Sequence, residues 1–251
     1  MMSKEEIKYV SKLLLKKFRQ KEGKFIAEGK RLINEAIESN FICEQVIVTE
    51  LFSKNEKDLI KYIIDKKIKV SVIGAKDFQK ISSTKNSQCI AGIFKISKPK
   101  IEYDKEKFIV ALENISDPGN LGTILRSCDW FGIKSVILSN DCAELYNPKV
   151  VRASMGAVFN IKIVENIDLI GEIHELKNNG FTINVADMNG IDYTQADWNR
   201  KSLIVFCNEA NGPTKELINL CDTKITIPKK GKIDSLNVSA AAAVILSQIK
   251  S

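Results

Sequence analysis

Phe108-Ile109-Val110-Ala111-Leu112-Glu113-Asn114-Ile115-Ser116-Asp117-Pro118-Gly119-Asn120-Leu121-Gly122-Thr123-Ile124-Leu125-Arg126-Ser127-Cys128 is the stretch that sets the fold class. Its first five residues are continuously apolar, the pattern of a strand buried on both faces. Asp117, Pro118 and Gly119 are turn formers. Leu121, Ile124, Leu125 and Cys128 then fall at i, i+3, i+4 and i+7, a single helical stripe. Strand, turn and helix in that order predict an α/β layer structure. Arg126 lies off the stripe. It can reach past the end of the strand, where ligands of open α/β sheets bind. The competing role is an ion pair with Asp129 three residues on.

The same grammar recurs further along. Leu203-Ile204-Val205-Phe206-Cys207 is a second buried-strand run. It ends in the polar loop Asn208-Glu209-Ala210-Asn211-Gly212-Pro213, with a short helix expected near Lys215 to Leu220. The third segment is Ile227-Pro228-Lys229-Lys230-Gly231-Lys232-Ile233-Asp234-Ser235-Leu236-Asn237-Val238-Ser239-Ala240. A Pro and a polar turn lead there into a helix of almost pure Ala, Val, Ile and Leu, apolar nearly all round and therefore expected to be buried. Polar residues at such a helix start can cap it or can hold a small ligand at its unpaired N–H groups.

Strands are expected at 108–112, 135–139, 181–186, 202–207 and 224–227 with helices between them, hence a parallel sheet with crossovers. Upstream of a charged, Pro-containing stretch at 98–106, read as a linker, the chain alternates again. Helices are expected near 3–20, 29–39 and 55–65. Strands are expected at 25–27, 45–48, 69–72 and 90–96. This is a second, smaller α/β domain.

Composition narrows the function classes. Residues 1–100 hold 22 Lys and Arg against 12 Asp and Glu, a net +10; residues 101–251 hold 16 against 19, a net −3. A polycationic first half suits a polyanion such as nucleic acid; a general bias of the organism towards Lys would produce the same count. The six cysteines form no Cys-x-x-Cys pair and there is one histidine, which argues against a zinc site and for reduced thiols in a cytoplasm. No apolar run reaches about 18 residues, so no membrane span is expected. Neither a Gly-x-Gly-x-x-Gly after a strand nor a P-loop is present.

Taken together, the three segments resemble the SpoU (TrmH-like) branch of the SPOUT RNA methyltransferases. The pattern Asn-x-x-Asp-Pro-x-Asn-x-Gly-x-Ile-x-Arg runs from Asn114 to Arg126, Asn-Glu-x-x-Gly from Asn208 to Gly212, and Ile-Pro-x-x-Gly-x-x-x-Ser-Leu-Asn-Val-Ser from Ile227 to Ser239. Asn147 to Ala157 and Lys21 to Leu32 also look like the family. The resemblance implies a knotted (trefoil) SPOUT domain over 107–251, preceded by an L30e-like RNA substrate-binding domain over 1–97. It implies S-adenosyl-L-methionine as cofactor and methyl transfer to a ribose 2′-OH of RNA, rRNA before tRNA, in a homodimer without metal. Rival readings are a relative that binds RNA without catalysis, and an enzyme that modifies a base.

The positions matching the family's catalytic set are Arg126, Asn120, Glu209, Ser235 and Asn237. Those matching its cofactor contacts are Cys207, Asn208, Gly212, Ile227, Leu236 and Asn237. Taken alone, Cys207, Ile227 and Leu236 read equally well as core, Glu209 as a loop ion-pair partner and Asn237 as a helix cap. Two departures stand out. In the second motif Cys207 stands where Gly is usual and Ala210 where Gly is frequent; in the first domain Cys89 replaces the Gly of the usual Gln-Gly-Ile-Ala step in Gln88-Cys89-Ile90-Ala91.

Overall fold

The computed structural model describes every residue except Met1, Glu209, Ala210, Lys250 and Ser251. In chain order it contains α1 (Lys4–Lys12), α2 (Lys16–Glu22), β1 (Lys24–Glu28), α3 (Lys30–Glu38), β2 (Cys43–Thr49), α4 (Glu50–Asn55), α5 (Lys57–Asp65), β3 (Lys69–Ile73), α6 (Ala75–Ile81) and β4 (Ile90–Lys95). There follow β5 (Phe108–Glu113), α7 (Pro118–Trp130), β6 (Ser135–Ser139), α8 (Pro148–Ala153), β7 (Lys162–Ile167), α9 (Leu169–Asn178), β8 (Thr182–Asp192), β9 (Ser202–Cys207), α10 (Lys215–Leu220), β10 (Thr223–Thr226) and α11 (Val238–Leu246).

Two compact units result. The first runs to Ser97 and takes in Glu144–Phe159; the second comprises Lys98–Ala143 and the chain from Asn160. A single composition boundary does not describe this division, because α8 packs with the first unit. Nor is 98–106 a free linker: Ile101 and Tyr103 pack on the second unit's core and Glu106 is buried.

In the first unit four strands lie in the order β1-β4-β2-β3, with β4 antiparallel to both its neighbours and β2 parallel to β3. The helix expected over 3–20 is broken in two. Leu13 is fully buried, and its carbonyl accepts a hydrogen bond from Arg19 Nη1 at 2.9 Å instead of continuing the helical ladder. Arg19, 2% exposed, also donates from Nε to Glu144 Oε1 at 2.7 Å and from Nη2 to Glu144 Oε2. The returning segment adds Tyr146 and Phe159 to the rings of Phe25, Phe41 and Phe94; Phe25 and Tyr146 centroids are 4.4 Å apart. The short helices α4 and α6 were not anticipated. Six or seven residues with two apolar anchors leave no clear period.

The second unit is built on a six-stranded, wholly parallel sheet in the order β10-β8-β9-β5-β6-β7. β7 was not anticipated, since a partly exposed edge strand with Lys162 and Glu165 lacks an apolar run. All four stripe residues of α7 are fully buried, Asp117 caps the helix by accepting from Asn120 N–H, and Pro118 occupies its first turn. From β10 at the sheet's edge the chain runs back through 227–237 to α11, which packs on α7 and β9 in the middle of the sheet. The expectation that α11 is buried all round is corrected: Val238, Ala242, Ile245 and Leu246 are buried, Ala240 is exposed, and the intervening side chains are partly exposed.

Candidate functional site

The parallel register brings the first two motifs together. Glu113 at the end of β5 pairs with Cys207 at the end of β9. Both loops are then held by hydrogen bonds. Asn208 N–H donates to Glu113 O at 3.1 Å, and Asn208 Nδ2 donates to Asn114 O at 3.1 Å. Gly212 N–H donates back to Asn208 O at 2.9 Å. Gly212 has φ +62°, so a glycine suits this turn. Asn114 also sits in the left-handed region, at φ +58°, and its N–H donates to Ser139 Oγ at 3.0 Å.

Glu113 was not among the sequence candidates, yet it organises this corner. It is buried, and its carboxylate accepts from Thr214 N–H at 3.1 Å and from Thr214 Oγ at 2.8 Å. Thr214 in turn caps α10. The signal was present in the sequence: Glu113 is the first charge after an apolar strand, and Thr214 precedes a short helix.

Cys207 is buried within a core cluster that includes Val205, Val185 and Ala111. Burial raises its thiol pKa, and the carboxylate of Glu113, by charge and hydrogen bond, and that of Asp187, by charge, push it the same way. It stays a neutral thiol, so its place at the site is steric and through its main chain.

The third motif joins the first directly. Asn237 Nδ2 donates to Asn120 Oδ1 at 3.0 Å, while Asn237 Oδ1 accepts from Ser239 N–H at 3.0 Å and from Ser239 Oγ at 2.6 Å. Asn237 therefore both caps α11 and ties that helix start to Asn120. Asn120 N–H is itself spent on the Asp117 cap at 2.8 Å. Arg126 is exposed on α7 and has no hydrogen-bond or ion-pair partner among the described residues. Asp129 accepts instead from Asn160 Nδ2 at 3.1 Å, so the i+3 pair with Arg126 is not formed. Ser235 and Leu236 are exposed and Ile227 is half-buried; none of these three touches the Asn120–Asn237 pair through a hydrogen bond. Glu209 and Ala210 lie outside the described residues.

The donor set fits a nucleoside-type cofactor. Residues 227–236 form no backbone hydrogen bond among the described residues, so their N–H and C=O groups remain available directly after β10. An adenine edge can satisfy such groups. Among the described residues no group of three or more His, Cys, Asp or Glu could hold a metal ion, and no helix is long and apolar enough to cross a membrane.

Comparison with known proteins agrees with this geometry. Residues 107–247 match the model of the SpoU rRNA Methylase family, and residues 4–92 match that of the MRM3-like substrate binding domain. The chain is 27% identical to the 23S rRNA (guanosine(2553)-2′-O)-methyltransferase of Bacillus subtilis, over 98% of this chain and 96% of that one. A TrmH-family structure from Porphyromonas gingivalis superposes with a TM-score of 0.86 at 28% identity, covering 99% and 98% of the two chains. An AdoMet-bound rRNA methyltransferase from Sinorhizobium meliloti gives a TM-score of 0.86 at 25% identity, covering 99% and 95%. With the three ordered motifs joined around the carboxyl ends of the central strands β5 and β9 and a family match across more than half its length, this chain belongs to the SpoU rRNA methylase family.

Proposed function

We propose that this protein is an S-adenosylmethionine-dependent methyltransferase acting on a ribose 2′-OH of RNA, with rRNA favoured over tRNA, in the cytoplasm. The observation that carries the reading is the Asn120–Asn237 hydrogen bond beside the joined Glu113–Cys207 strand ends. It draws residues far apart in sequence into one corner, at the carboxyl ends of parallel strands where α/β folds bind ligands. The relatives from Bacillus subtilis and Sinorhizobium meliloti, named as rRNA methyltransferases, support the substrate class. The net charge of +10 over residues 1–100 supports a role for the first unit, taken as the RNA substrate-binding domain, in gripping phosphates.

When bound, S-adenosylmethionine supplies an electrophilic methyl group on a sulfonium. Cys207, Asn208, Gly212, Ile227, Leu236 and Asn237 are its proposed contacts, chiefly through main-chain groups. Arg126 holds the RNA phosphate next to the reacting ribose and stabilises the developing alkoxide by its charge. Asn120 and Asn237 fix the relation between Arg126's helix and the cofactor loop. Ser235 and Glu209 are the remaining proposed polar groups at the reacting hydroxyl. A homodimer is supported by α11, on which Ala240 is exposed and Ala241, Ala243 and Val244 are partly exposed, and by Trp130 of α7, 81% exposed.

Arg126→Ala tests the reading. Cofactor titration should match the wild type, while transfer of labelled methyl to rRNA should fall about 10²-fold or more, the scale of losing one transition-state donor. Near-normal transfer would remove Arg126 from the mechanism. Methyl found on a base rather than a ribose would overturn the proposed reaction.

A further inference from the structure

The sheet register places one more carboxylate at the cofactor corner. Val185 of β8 pairs with Val205 of β9, which pairs with Ala111 of β5. These three side chains belong to one buried cluster, on one face of the sheet. Cys207 and Glu113 carry this face two residues further at the ends of β9 and β5, and Asp187, two residues past the last β8–β9 pair, lies near enough for its charge to act on the Cys207 thiol. Glu113 is occupied by Thr214. Asp187 is half-buried, and its Oδ1 accepts from Asn189 N–H at 2.7 Å; it has no basic partner among the described residues.

Asp187 lies where β8 leaves the regular ladder. Lys224 of β10 pairs with Val185, but the next residue, Ile225, pairs with Ile191. Residues 186–190 therefore leave the ladder as a bulge. Gly190 lets the bulge close, since a Cβ there would lie 2.5 Å from the Lys224 carbonyl carbon and oxygen. Thr226 Oγ donates to Met188 O at 3.2 Å, which fastens the bulge beside Ile227. Asp187 thus sits in the bulge between Val185, which is in register with Val205 two residues before Cys207, and Met188, which is tied to the residue before Ile227.

We propose that Asp187 binds the ribose hydroxyls of S-adenosylmethionine. The inference rests on the cofactor reading above. A carboxylate is an acceptor only, and a vicinal diol offers it two O–H donors in a charge-assisted pair. The same chemistry places an acid on the ribose in dinucleotide-binding sheets. Asp187 is a positioning residue: it fixes the adenosine, and through it the direction of the methyl group.

The test is calorimetric titration of the full chain and of Asp187→Asn. The ligands are S-adenosylmethionine, S-adenosylhomocysteine, 5′-methylthioadenosine and the 2′- and 3′-deoxy forms of the last. Asn keeps an oxygen for Asn189 N–H, so the turn should survive, and thermal melting checks this. All three ribose-bearing ligands should bind the variant about tenfold more weakly, the difference between a charged and a neutral hydrogen bond. Loss of a hydroxyl from 5′-methylthioadenosine should weaken binding to the wild type about tenfold and to the variant by less than about threefold. The deoxy ligands probe the same contact in the wild type should the variant fail to fold. Equal binding by variant and wild type would overturn the proposal, and so would a loss confined to the sulfonium-bearing ligand, which would indicate a field acting on charge. A wild type that binds none of these ligands would overturn the cofactor reading and this proposal with it.

Discussion

Two cysteines stand where the family pattern usually has glycine, and the structure separates them. Cys207 closes β9 with no positive φ and a buried side chain inside the core. Cys89, just before β4, has φ +61° and a half-buried side chain. A pattern glycine can therefore mark two distinct needs. At Cys89 the backbone demands the left-handed region, which costs a side-chain-bearing residue of order 1 kcal/mol or more. At Cys207 the backbone is ordinary extended strand, and what matters is the space between the strand end and its acidic neighbours.

Substitutions can break that contrast. The largest effect is expected from Cys207→Leu. Extra volume in the packed core should cost about 1–3 kcal/mol of stability and displace the strand end. Titration should show S-adenosylmethionine binding weakened about tenfold or more. Unchanged binding by the Leu variant would show that this position does not border the cofactor. Next comes Cys207→Gly, which removes a buried side chain and adds backbone entropy to the unfolded chain. Denaturant unfolding should report a loss of about 1–2 kcal/mol, with cofactor affinity within about tenfold of the wild type. A large gain in affinity would mean that the thiol obstructs the site. The smallest effect, of opposite sign, is Cys89→Gly. Relief of the left-handed strain should stabilise the protein by about 0.5–1 kcal/mol, read as a raised midpoint in the same unfolding experiment. A loss there would show that the Cys89 side chain contributes more than its backbone costs.

Motifs and long apolar periods were legible in the sequence; packing partners were not. The buried-strand runs at β5 and β9 and the stripe of α7 follow from local periodicity and recur in the structure almost residue for residue. The break after Leu13 depends on Arg19, whose own conformation depends on Glu144, and no local window contains both. A carboxylate ending a strand, as Glu113 does, carries no meaning on its own, because its meaning comes from Thr214 lying against it. Asn237 was read as either cap or ligand holder; its side chain has enough groups to cap α11 and to bind Asn120 together. β8 was expected to stop near 186, and its continuation past the bulge to Asp192 is fixed by pairing with β10.

The excursion of Glu144–Phe159 into the first unit sets an order of events during synthesis. A nascent chain that has emerged only to Ser97 lacks Tyr146 and Phe159 from its aromatic cluster, and Arg19 has no carboxylate to meet. A buried guanidinium without its partner is strongly unfavourable. The amino-terminal unit therefore cannot finish folding until β5, α7 and β6 have left the ribosome as well. Its maturation is timed by the middle of the chain, and a truncation that removes 1–97 strips Tyr146 and Phe159 of the rings they pack against.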